Sequence, residues 1–186
     1  MKTIAFFLLA ALAVAADPEF TADGKLVKPA NYREWIYLSS GLGMQYSEPG
    51  AAPNPNPNFE NVFVEPSAYR KFVETGGWPD KSVFVLEIRN SANKGSINKD
   101  GRFQTGISAV EVSVKDVKRF DDEWGYFGFN GSVTTASKFG PTAGCNACHS
   151  KNAAVEHTFV QFYPTLLEIA KAKGTLNPSY QSSDKK

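Results

Sequence analysis

The chain is 186 residues long, room for one domain with a sizeable core, and its 14 Phe, 7 Tyr and 3 Trp supply bulk for that core. With 20 Lys and Arg against 19 Asp and Glu, the formal charge is +1. That balance excludes the basic footprint that a nucleic acid or an anionic membrane surface requires.

The first segment, MKTIAFFLLAALAVAADPEF, has one positive residue, Lys2, an apolar run from Ile4 to Val14, and small residues at Ala13, Ala15 and Ala16. The run is too short to span a bilayer and reads as a secretory signal over residues 1–16, cut after Ala15 or Ala16. Its removal takes away only Lys2 and leaves 19 basic and 19 acidic residues. No second apolar stretch follows, so the mature chain is expected to be exported, periplasmic and not inserted in a membrane.

Asn31 reads as the N-cap of a helix over 31–40, NYREWIYLSS. GAAPNPNPN at 50–58 is a connector. PSAYRKFVETGG predicts a second helix, with Pro66 in its first turn, Tyr69, Phe72 and Val73 on one face, and Gly76 and Gly77 as the stop. Strands are expected at 61–65, 82–89, 107–115 and 125–130, around a polar loop at 90–101. In the third, Val110, Val112 and Val114 face one way and Glu111 and Ser113 the other. NAAVEHTFVQFYPTLLEIAKAKG predicts a C-terminal helix broken near Pro164, followed by a polar tail at 179–186. There is no internal repeat. The fold class is therefore α+β: an antiparallel sheet of about five strands with helices at both ends of the chain, in one domain over 17–178.

Both cysteines, and one of the two histidines, lie in PTAGCNACHSK. Cys145, Cys148 and His149 fit three kinds of chemistry. As C-x-x-C-H they attach one c-type haem, two thioethers holding the porphyrin and His149 ligating the iron; positions i, i+3 and i+4 share a helix face. As a cysteine pair they make a disulfide or a redox site, although that motif belongs in a βαβ unit the sequence does not contain. With His157 they bind zinc, for which His149 directly beside Cys148 is poorly placed.

Under the haem reading the sixth ligand decides the function. His157, if it continued the same helix, would lie about 12 Å along the axis and could not reach the opposite haem face; it reads as a half-exposed helix histidine. Met44, the one methionine left after signal cleavage, is the ligand that an electron carrier would have to use, and otherwise fills the core beside Tyr46. Without it the iron is five-coordinate.

The stretches NYREW, VFVEPSAYRKFVETG, VSVKDVKRF and PTAGCNACHSKNA leading to FVQFYP resemble, in order and along essentially the whole mature chain, the cytochrome P-460 family, which includes the cytochromes c′-β. The resemblance implies a homodimeric mono-haem c-type protein on a large antiparallel sheet, with Cys145 and Cys148 as attachment sites and His149 as proximal ligand. Hydroxylamine-oxidising members carry a lysine bonded to the haem on the strand after the second helix. Matching SVFVLEI to that strand puts Leu86 there, and Lys81, the nearest substitute, sits at the turn WPDK on the opposite face by parity.

If Leu86 faces the haem, parity adds Phe84 and Ile88 to an apolar distal wall and turns Val83, Val85 and Glu87 away; Phe103 starts the next strand. Such a wall favours neutral diatomics such as nitric oxide, or it is plain sheet core. The segment before the cysteines has no carboxylate to accept a proton, and Glu87, Glu111 and the acidic run at 121–123 are expected on solvated faces. Arg33 and Glu34 read as a structural ion pair or a pocket edge, the structural role being favoured. The favoured function is nitric oxide binding, the alternatives being hydroxylamine oxidation with electrons passed to a redox partner cytochrome, and electron transfer through a Met44-ligated haem.

Overall fold

A computed structural model describes residues 17–46 and 54–183; the signal-like segment 1–16 and its cleavage position lie outside the described residues. Among the described residues no helix is long and apolar enough to cross a membrane. The chain is α+β, with a five-stranded antiparallel sheet, as composition and periodicity imply.

The sheet is a meander in which each strand lies beside its sequence neighbour: β2 (Ile36–Leu42), β3 (Phe59–Val64), β4 (Val83–Ala92), β5 (Phe103–Lys115) and β6 (Trp124–Phe129). A separate two-stranded ribbon of β1 (Leu26–Val27) and β7 (Thr135–Ala136) packs on its outward face. The helix expected over 31–40 does not form. Asn31 makes no side-chain cap, a single 3₁₀ turn spans Tyr32–Glu34, and Ile36 to Leu42 instead pair with β3 from Ile36 opposite Val64 to Leu42 opposite Phe59. Ten residues cannot separate the two periods, and β-formers such as Ile36 and Tyr37 go to the sheet when an unpaired strand edge is available.

Between β3 and β4 runs α1 (Pro66–Thr75). Glu65 caps it, its carboxylate accepting from Ser67 N (2.8 Å) and Ala68 N (3.0 Å), and Gly76 ends it at φ +79°. Phe72 is fully buried and Tyr69 packs at the core's edge, but Val73 is exposed and Ala68 takes its place inside. After the sheet come α2 (Cys145–Asn152), α3 (Pro164–Lys173) and α4 (Pro178–Ser183). Of the predicted C-terminal helix over 152–174 only the part after the expected break at Pro164 is α-helical, as α3; residues 153–163 form an irregular turn and a single 3₁₀ turn at Val160–Phe162. The start of the expected polar tail is a helix whose Tyr180 packs on the core.

The sheet is buried on both faces. Outward, Val83, Val85, Val110, Val112 and Val114 pack with Leu26, Tyr32 and Phe127. Inward, Val64, Phe84, Trp124 and Tyr126 pack with Phe72, Trp78 and Leu166. The alternation read in β4 and β5 therefore holds. On the outward face Glu87 is buried, bonded to Tyr32 Oη (2.5 Å), Arg33 (2.6 Å) and Arg89. Arg33 pairs across the sheet with Glu87 rather than with Glu34, so its role is structural.

Candidate functional site

Two cross-strand rows make the floor of the site. The first runs Ser39, Val62, Leu86, Glu111, Gly128 across all five strands, and the second Val64, Phe84, Ser113, Tyr126. Successive residues of a strand face opposite ways, so each row presents its side chains to one face. Gly128 adds no side chain, and the ring of Phe139 lies over it: a Cβ there would stand 2.5 Å from Phe139 Cζ. Above this floor α2 and the turn after it close a cavity of about 530 Å³, a volume proper to a small-molecule or cofactor site.

The helix α2 begins at Gly144 and carries the motif. Cys145, Cys148 and His149 all line the cavity, as side chains at i, i+3 and i+4 on one helix face should. Both cysteines are free thiols, and burial pushes that of Cys145 up. His149 sits between the rings of Tyr126 (4.6 Å) and Phe159 (4.4 Å). Its Nδ1 lies 2.7 Å from the His157 carbonyl oxygen. A carbonyl only accepts, so Nδ1 carries the proton and Nε2 keeps its lone pair. Burial also holds the imidazole's pKa below its ordinary value, favouring the neutral form. A neutral ring oriented by a carbonyl behind it is the arrangement of a metal-ligating histidine.

His157 does not extend the helix, which ends at Asn152. It lies in a turn, its ring stacked on Trp124 (6.1 Å, 5°) with Tyr126 Oη 3.3 Å from its Nδ1. Among the described residues no three His, Cys, Asp or Glu converge as a metal cluster, so the geometry lends the zinc reading no support. The cysteines follow a 3₁₀ turn rather than opening a βαβ unit, and they are not paired, which disfavours the redox reading.

Phe84 and Leu86 line the cavity; Ile88 and Phe103 are not among its lining residues. Parity puts Ile88 on the same face, but one row further along, where Gly41 and Glu60 reach the cavity in its stead. Phe103 begins β5 at the far end of the hairpin, opposite Ala92, and packs over Gly95. Lys81 also lies outside the lining, at φ +68° and paired with Asp116 (2.5 Å).

The wall is less apolar than β4 alone suggests. Glu111, directly across from Leu86, and Glu60 both face the cavity, Glu111 exposed and Glu60 half-buried, and partial desolvation pushes each carboxyl above its ordinary range. Tyr46 Oη donates to Glu60 (3.4 Å) at the rim; although the side chain is largely exposed, partial desolvation of its hydroxyl together with Glu60 raises its pKa to about 12. Met44 fills the space over Gly41, its sulfur 4.0 Å from Tyr46 Oη. The alternation of Glu111 and Ser113 against the valines was visible in the sequence. That the polar side of β5 faces a cavity was not, because the residues across it come from far along the chain.

A family model described as Cytochrome P460 matches residues 29–160, which take in the whole five-stranded sheet, the Cys-x-x-Cys-His helix and the turn that follows it. No curated protein matches the chain.

Proposed function

The chain belongs to the cytochrome P460 family and is therefore a haem cytochrome; from that premise we propose an exported, periplasmic, homodimeric protein with one covalent c-type haem that binds nitric oxide or a similar small nitrogen-oxide ligand. The observation that carries this reading is the convergence of Cys145, Cys148 and an Nδ1-protonated His149 on one cavity. These residues fit the group. Each thiol can add its sulfur and its proton across a porphyrin vinyl group, and His149 Nε2 is the atom available to the iron. A haem held here by Cys145, Cys148 and His149 would supply an iron able to take up a small nitrogen ligand. Phe84, Leu86 and Val62 give the cavity an apolar wall that disfavours water and crowds bulky ligands, while Glu111 and Ser113 supply polar contacts in the same lining.

One observation favours hydroxylamine oxidation as a second reading. That reaction needs a proton acceptor, and Glu111 stands beside Leu86 on the cavity floor, where residues around the cysteines had offered none. Against it stands Leu86 itself in place of the cross-linking lysine, with no lysine among the lining residues.

Expression with export, followed by pyridine haemochrome and ferrous absorption spectra with and without nitric oxide, tests the proposal. A thioether-type band, a high-spin ferrous spectrum and ready nitric oxide uptake are expected. Turnover of hydroxylamine with an added electron acceptor, lost in Glu111→Gln, establishes the second reading instead. A low-spin spectrum abolished by Met44→Ala makes the protein an electron carrier.

A further inference from the structure

The carbonyl that holds His149 belongs to a turn that its own residues do not favour. Glu156, immediately before His157, has φ +49°, a left-handed conformation that costs a non-glycine residue free energy and persists only where its surroundings impose it. Its carboxylate accepts from Trp78 N (3.0 Å) and pairs with Lys115 (2.6 Å). On the other side of the turn the indole of Trp78 donates to Thr158 Oγ1 (2.7 Å).

Within the turn Val155 and Thr158 bond each other's backbone and Gln161 accepts from Ala154 N (2.9 Å); further ties come from Asn177, between α3 and α4 and beyond the 29–160 stretch that the family model matches. Its amide group donates to the carbonyls of Ala153 and Glu156 (2.9 Å each) and accepts from Glu156 N (3.1 Å); its own N–H donates to Ala154 O (2.7 Å). Ala153, Ala154 and Val155 are buried, so these backbone groups have little recourse to water. One side chain therefore satisfies both ends of the turn and holds Glu156 in its left-handed conformation.

We propose that Asn177 is a positioning residue for the haem ligand: by fixing the 153–157 turn it aims the His157 carbonyl at His149 Nδ1 and so sets the imidazole's donor strength and the reduction potential. The inference rests on ligation of the iron by His149, as proposed above. A hydrogen bond to a carbonyl makes the imidazole a stronger donor and favours the ferric state. Loosening the turn weakens that bond and moves the potential positive, by about 59 mV for each tenfold loss of ferric over ferrous preference.

The experiment compares Asn177→Ala with the wild type and with Gln181→Ala, a control in α4 whose amide donates to Leu176 O. A positive potential shift in Asn177→Ala and an unchanged potential in Gln181→Ala are expected. Equal potentials in wild type and Asn177→Ala overturn the proposal, even if the variant unfolds more easily. Nitrogen NMR of the haem-free proteins decides independently of haem loading. The His149 Nδ1–H is expected in slow exchange with solvent in the wild type and in fast exchange in Asn177→Ala, and unchanged exchange overturns the proposal. If Asn177→Ala does not fold, Asn177→Asp, which still accepts from Glu156 N, serves the same NMR comparison. Wild type that takes up no haem refutes the function proposed above, and the NMR comparison still decides whether Asn177 holds the turn.

Discussion

Glu111 shows how little a residue's type says about its role until its surroundings are known. On β5 it alternates with buried valines, a pattern that ordinarily marks a solvated face. Here it stands across from Leu86 on the floor of the cavity, still exposed to solvent through the cavity's open side, and partial desolvation raises its carboxyl pKa. The folded state then favours the protonated acid more than the unfolded chain does. Haem-free protein should therefore lose stability as pH rises from the ordinary carboxylate range through the raised value, since the folded form binds more protons in that window. Glu111→Gln should flatten this slope; Glu60, raised for the same reason, keeps part of it. Urea unfolding at a series of pH values measures both, and equal slopes in the two proteins contradict the assignment.

Among the elements, α1 was the most legible, because both its ends are written locally. Pro66 suits a first turn, and Gly76 suits a left-handed C-cap, which it adopts at φ +79°. The structure adds that Gly76 is a close contact as well: a Cβ there would stand 2.6 Å from Lys173 Cβ, at the end of α3. Gly76→Ala must both strain the cap and push α3 away, so a loss of about 1–3 kcal/mol in unfolding free energy is expected by denaturant titration. Gly77→Ala, whose Cβ would meet nothing nearer than Glu156 Oε1 at 3.5 Å, should cost less. The segment 31–40 went the other way, from expected helix to edge strand. Nothing in those residues announces that β3 will offer a partner.

At the scale of the whole molecule, the five-stranded sheet separates two cores; Phe84 of the inner one lines the cavity, whereas Leu26 of the outer one does not. Leu26, fully buried in the outer core, should on replacement by alanine cost about 2–5 kcal/mol of stability while leaving nitric oxide affinity of the haem-loaded protein unchanged. Phe84, which belongs to the inner core and lines the cavity, should when truncated change both. Thermal unfolding and ligand titration of the two variants check this. A change in affinity in Leu26→Ala as large as that in Phe84→Ala would mean that the sheet transmits strain between its faces.

The sequence by itself determined the elements whose information is local: the spacing of Cys145, Cys148 and His149 on one helix face, the caps of α1, and the parity of β4 and β5 that points Phe84 and Leu86 inward. Tertiary structure alone decided which strand row lies under the helix, and hence that Glu60 and Glu111 join the cavity while Ile88 and Phe103 do not. It also decided that residues after 152 leave the helix to place the His157 carbonyl behind His149. Each of these depends on pairing between segments dozens of residues apart, where the free energy of burial and of satisfied backbone groups outweighs the local preference of any one stretch.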